Sequence, residues 1–165
     1  MFQRILVPID GSDASNLGLE EAIKMAKDQN ATLCLLHAVD DLVVTQNLDG
    51  TVYVPASYVD EFLAALRKGG KQILAKAQAK VRKRGVKADS VFVETLGRRV
   101  SDVIIEQARK WRANLIVLGT HGRRGLTRLV MGSDAEAVVR STPVPILLVR
   151  SPDAPRPRAK QRRKS

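Results

Sequence analysis

Gly119, Gly122 and Gly132, the last followed by Ser133, set the spacing G-x2-G-x9-G-S within GTHGRRGLTRLVMGS, directly after the apolar run LIVL. Glycine lets backbone N–H groups come close to an anion and adopt positive φ. A helix starting at Ser133 adds unsatisfied N–H groups and a partial positive charge. A phosphate is the guest that suits this chemistry, with Ser133 capping the helix and donating its hydroxyl. The same glycines also fit a loop that they merely shape. His121 can donate to a phosphate or be an ordinary loop histidine. Arg123, Arg124 and Arg128 either screen a bound anion or solvate the rim.

A second chemical stretch is DGSDAS, residues 10 to 15. Asp10 there fits a ligand contact, a turn former or a helix cap. Neither G-x-x-x-x-G-K-[ST] nor a G-x-G-x-x-G after the first strand occurs, so the chain is neither a P-loop NTPase nor an ordinary dinucleotide dehydrogenase. Cys34 is the single cysteine and lies in the apolar run ATLCLL. It reads as a small buried hydrophobe with no chemical role, and a chain with one thiol suits a reducing cytosol.

Both stretches must be held by regular elements. RILVPI (4–9), ATLCLLHAV (31–39), SVFVETL (90–96), NLIVLG (114–119) and VPILLVR (144–150) read as strands. Between them, apolar residues recur at helical spacing after Ser12 or Ser15, from about Tyr58 to Arg84, over 101–111 and over 133–140, the last opened by the capping pattern Ser133-x-x-Glu136. Residues 40–57 form a long loop. Gly70 falls on the apolar stripe of the second helix, which predicts either a close backbone contact or a kink. Short aliphatic strands alternating with amphipathic helices indicate an α/β fold with a doubly wound five-stranded parallel sheet. DGSDAS and GTHGRRG both follow strands, so both lie at the carboxyl edge, where such sheets bind ligands.

With 165 residues, the chain is sized for one domain. No apolar run nears a membrane span and the N-terminus lacks the order of a signal peptide, so a cytoplasmic protein is expected. The net charge of +11 is partly a property of residues 151–165, which hold six Lys and Arg against Asp153 alone. That segment reads as a basic, disordered tail; nucleic acid is expected as a partner only nonspecifically, through it.

VPIDGSDAS and GTHGRRGLTRLVMGSDAEAVVRSTPVPILLVR, with the layout between them, resemble the universal stress protein family over residues 1–150. The resemblance implies a Rossmann-like, adenine nucleotide alpha hydrolase-like fold with strand order 3-2-1-4-5. It places Asp10 opposite the glycine loop. The G-x2-G-x9-G-[ST] motif marks the members that bind ATP. By position, Gly119, Gly122, Gly132 and Ser133 would hold the phosphates, with His121 and Arg123 beside them. Pro8 and Asp10 would line the site, Asp10 contacting the ribose or a phosphate-bound Mg or Mn, and Val39 would pack on adenine. ATP is the expected cofactor, with AMP or ADP as alternatives, and a homodimer through strand 144–149 is implied. Arg98 and Arg99 stand where relatives often carry an acidic residue and a proline.

No dedicated base besides Asp10 is available for hydrolysis, so the expected role is a nucleotide-loaded regulatory module with at most slow turnover. Two alternatives remain. DGSDAS weakly resembles the SGGxDS loop of adenylating ATP pyrophosphatases, and the basic tail could make the chain a binding module for acidic partners.

Overall fold

Consecutive residues Ile5, Leu6 and Val7 are all 0 % exposed, which a strand achieves only with helices on both faces of its sheet. They belong to β1 (Arg4–Pro8). In the computed structural model, which describes residues 1–40, 55–120 and 132–150, the chain continues through α1 (Asp13–Gln29), β2 (Thr32–Val39), α2 (Ala56–Lys83), β3 (Lys87–Glu94), α3 (Val100–Lys110), β4 (Leu115–Gly119), α4 (Ser133–Ser141) and β5 (Ile146–Val149).

All strand pairings are parallel and the order is β3-β2-β1-β4-β5, as the resemblance implied. Period-two alternation sends Ile5, Val7, Leu33, Leu35 and Val117 into a core shared with Leu19 and Ile23 of α1 and Leu74 and Val81 of α2. It sends Leu6, Cys34, Leu36 and Ile116 into a second core with Ile104 of α3 and Val138 of α4. Each fully buried aliphatic side chain contributes about 1.5–3 kcal/mol relative to exposure.

Ser12 is the N-cap of α1, its hydroxyl accepting from Ser15 N–H at 3.2 Å, while Asn30 closes the helix with φ 51°. α2 runs unbroken through Gly69 and Gly70. Of the two readings of Gly70, close contact holds: a Cβ there would stand 2.6 Å from Nε2 of His37 and 2.9 Å from Cε2 of Phe92.

Two expectations need correction. β3 begins at Lys87, not residue 90, because it is an edge strand whose first residues include the solvated, polar Lys87, Asp89 and Ser90 while still registered on Thr32 to Leu35. α4 takes Gly132 as its N-cap, with no side-chain cap, so Ser133 is already helical and the expected capping box does not form. Glu136 pairs instead with Arg140 one turn on, at 2.6 Å.

Candidate functional site

The sheet order reverses between β1 and β4, since β2 and β3 lie to one side of that pair and β5 to the other. Open α/β sheets commonly bind ligands in the crevice beyond the carboxyl ends at such a point. Among the described candidate residues, Pro8, Asp10, Gly119, Gly132 and Ser133 all belong to segments that meet here. His121, Gly122 and Arg123 lie outside the described residues.

On the β1 side, the chain is fixed up to the turn. Ile9 N–H donates to Leu36 O at 2.8 Å, and Ile9 O lies 2.6 Å from Nδ1 of His37. A carbonyl only accepts, so Nδ1 carries the proton. Asp10 is half-buried and its Oδ1 accepts from Ser12 N–H at 2.9 Å and Ser12 Oγ at 2.6 Å. The carboxylate thus shapes the entry to α1. Gly11 has φ +82°, and its missing Cβ would lie 3.1 Å from Cδ1 of Ile73, so α2 packs directly beneath the turn.

On the β4 side, Gly119 ends the strand buried, and a Cβ there would stand 2.6 Å from the carbonyl carbon of Ala14. Its bare Cα admits the first turn of α1 against β4. Thr120 N–H donates to Val149 O at 2.9 Å, and Thr120 O accepts from Gly132 N–H at 3.0 Å. This last bond clasps the two ends of segment 121–131 together at the mouth of the crevice. It also commits the Gly132 amide, and the next residue, the exposed Ser133, opens α4. The first turn of α4 carries Asp134 and Glu136, which offset part of the helix's positive end.

Val39 ends β2 two strands from the clasp, is 5 % exposed, and has its carbonyl taken by Thr95 N–H at 3.1 Å. Little of its side chain is open to a guest. The turn after β3 holds Leu96 at φ 51° and Gly97 at φ 79°; Arg98 braces it through Thr95 O at 3.2 Å and Glu106 at 2.6 Å. The departure at Arg98 therefore gives this turn its own ion pair. Cys34 is buried in the second core, and desolvation pushes its thiol up to about 11, as befits the inert role read from the sequence.

His37 and Thr120 were not singled out by sequence reasoning. A lone histidine inside LLHAV was the available signal for the first, because a polar ring in an apolar strand needs a partner. Thr120 gave none, since its part is played by its main chain.

The profile of the universal stress protein family matches residues 1–150. Universal stress protein YxiE of Bacillus subtilis is 37% identical over 151 residues, covering 91% of this chain and 100% of that protein. A universal stress protein family structure from Burkholderia pseudomallei is 32% identical with a TM-score of 0.68, covering 89% of this chain and 95% of that one. The Archaeoglobus fulgidus universal stress protein in complex with dAMP has a TM-score of 0.61 over 89% of this chain and 97% of its own, and at 21% identity it matches in fold. The chain belongs to the universal stress protein family.

Proposed function

We propose that the chain binds an adenine nucleotide, ATP in its working form, in the crevice between the ends of β1 and β4, and acts as a nucleotide-loaded regulatory module. The observation that carries this reading is the clasp between Thr120 O and Gly132 N–H at 3.0 Å. It brings both ends of the glycine segment, with Gly122 inside it, to the strand that pairs with β1. Dinucleotide and P-loop phosphate devices being absent, main-chain amides of this segment and the Ser133 hydroxyl are the donors a phosphate would meet. The dAMP complex of a protein with this fold supports the ligand class.

Asp10 is the acid on hand for the ribose hydroxyls or, with the phosphates, a Mg or Mn ion. Its bonds to Ser12 hold the carboxylate in place for either task and leave it poorly suited to act as a base, so turnover would be slow. Titration calorimetry with ATP, ADP and AMP, with and without Mg²⁺, tests the reading on the parent and on Gly122→Val. Heat from the parent, lost in the variant, is the expected result; no heat from the parent with any of the three ends it.

A homodimer through β5 belongs to the same proposal. β5 pairs with β4 on one side only, lies at the sheet edge, and leaves Leu147 and Leu148 36% and 37% exposed. Such an edge favours pairing with its own copy about a twofold axis. Light scattering at micromolar concentration should give twice the chain mass, and Leu147→Lys should halve it. A parent that scatters as a monomer removes this part alone. A cytoplasmic setting and a separate basic tail at 151–165 complete the reading.

A further inference from the structure

Between Phe62 and Ala88 the sequence holds nine Lys and Arg and no Asp or Glu. Lys87 begins β3, and the fold divides the other eight cations into two sets. Arg67, Lys80 and Arg84 flank the sheet side of α2 and find carboxylates: Arg67 meets Glu94 at 2.8 Å, and Glu20 meets Lys80 at 2.6 Å and Arg84 at 3.7 Å. Lys68, Lys71, Lys76, Arg82 and Lys83 are exposed and pair with no carboxylate among the described residues, Lys71 lying over the Phe92 ring of β3 with its Nζ 5.8 Å from the centroid. The exposed row is thus uncompensated along about 22 Å of helix axis, at 1.5 Å per residue.

We infer that the outer face of α2 is a docking surface for duplex nucleic acid, read through its phosphates without regard to sequence. The residues between the cations decide among polyanions. From Lys68 to Lys83 the other exposed positions are Gln72, Ala75, Gln78 and Ala79. A membrane-surface helix needs large apolar side chains beside its cations to enter the interface, and between Lys68 and Lys83 the large apolar residues, such as Leu74 and Val81, are buried against the sheet, the exposed Tyr58 and Phe62 lying before the row. Single strands are held by stacking on aromatic rings, and α2 carries none between Lys68 and Lys83, the half-buried Phe92 of β3 being covered by Lys71. Small and amide side chains let a smooth backbone approach the helix closely. A duplex presents about one charge per 1.7 Å of axis, so a stretch as long as this face offers about a dozen phosphates to five cations. The surface is distinct from the nucleotide crevice and does not depend on it.

Fluorescence anisotropy of a labelled 20-base-pair DNA with the full chain, from 50 to 300 mM NaCl, tests the assignment. Comparison is with two full-length variants: one carrying Lys68→Gln, Lys76→Gln and Lys83→Gln, the other Arg162→Gln, Arg163→Gln and Lys164→Gln in the tail. Removing three helix cations should weaken binding at least tenfold at the lowest salt and flatten the slope of log K against log salt by about 2.7, at about 0.9 per phosphate contact. Thermal melting should be unchanged, since all three lysines are exposed. Binding unaffected by the helix changes, or lost only with the tail changes, overturns the inference. So does tighter binding to phosphatidylserine vesicles or to polyglutamate than to DNA, which would make a membrane or an acidic protein the partner.

Discussion

Nδ1 of His37 stands 2.6 Å from the carbonyl oxygen of Ile9, so a side chain of β2 holds the peptide that leads into Asp10. The same ring stacks on Phe92 with 6.0 Å between centroids and is 5 % exposed. His37→Phe keeps the apolar volume but leaves a buried carbonyl without this donor, a loss of about 1–3 kcal/mol. His37→Asn returns an N–H close to the Nδ1 position. In ¹⁵N–¹H spectra the Ser12 amide, which donates to Asp10, should shift in His37→Phe and move back toward the parent in His37→Asn. Equal melting losses in both variants with an unmoved Ser12 signal would reduce His37 to packing.

The adjacent glycines of α2 should respond to alanine with opposite signs. A Cβ at Gly70 meets the His37 and Phe92 rings at 2.6 and 2.9 Å, and the buried His37 ring is held in place by its bond to Ile9 O. Gly70→Ala should therefore destabilise by about 1–3 kcal/mol. At Gly69 nothing lies within 4 Å, and Gly69→Ala should stabilise by about 0.5–1 kcal/mol through helix propensity alone. Urea melts of the two variants check both signs, and a stabilised Gly70→Ala would show that α2 can move off β2.

Sheet order was legible because GTHGRRG and DGSDAS carry a family pattern, and the strands were legible because Ile5 to Val7 and Leu33 to Leu36 are uninterrupted apolar runs buried on both faces. The first half of β3 was hidden because its outer edge is solvated, so Lys87 and Asp89 carry no strand period. At the site, residue types pointed to the crevice but not to the bonds already made there. Gly119 has the spacing of a phosphate glycine, yet its bare Cα also meets the backbone of Ala14, a long-range contact that spacing cannot reveal. The Gly132 amide is committed to Thr120 through a main-chain bond, for which no side chain gives a sign. The basic face of α2 was obscured for a related reason: which of the nine cations acquire a carboxylate depends on where α1 and β3 bring Glu20 and Glu94.

Glu20 ties α1 to α2, and its bond to Lys80 holds its carboxyl below the ordinary value of 4.5, with Arg84 adding to the effect. A carboxylate with a lowered folded value contributes stability that is present above 4.5 and is lost as pH falls through the folded value. Glu20→Gln should cost about 0.5–1 kcal/mol at pH 7, given that the side chain is 28% exposed. The difference from the parent should shrink below pH 4. A difference that persists undiminished at pH 3 would assign the loss to packing instead.

Cys34 gives a prediction of opposite sign. Its thiol rises from an ordinary 9.0 to about 11, chiefly because burial disfavours the thiolate, with a bond to Gln107 pulling the other way. Between those two values the unfolded chain has lost a proton that the folded chain keeps. Stability therefore falls as pH rises from 9 toward 11, and this thiol adds no pH dependence below 9. At pH 8 only about a thousandth of the folded molecules would hold a thiolate, and that sulfur is 0 % exposed. Iodoacetamide at pH 8 should leave the native protein unmodified, as read by intact mass, and alkylate it fully in 6 M guanidinium. Cys34→Ala should lose the decline in stability between pH 9 and 11 while costing about 1 kcal/mol at pH 7 for the cavity it leaves. Rapid alkylation of the folded chain would mean that the second core opens at β2, and would contradict the burial on which the inert role of this residue rests.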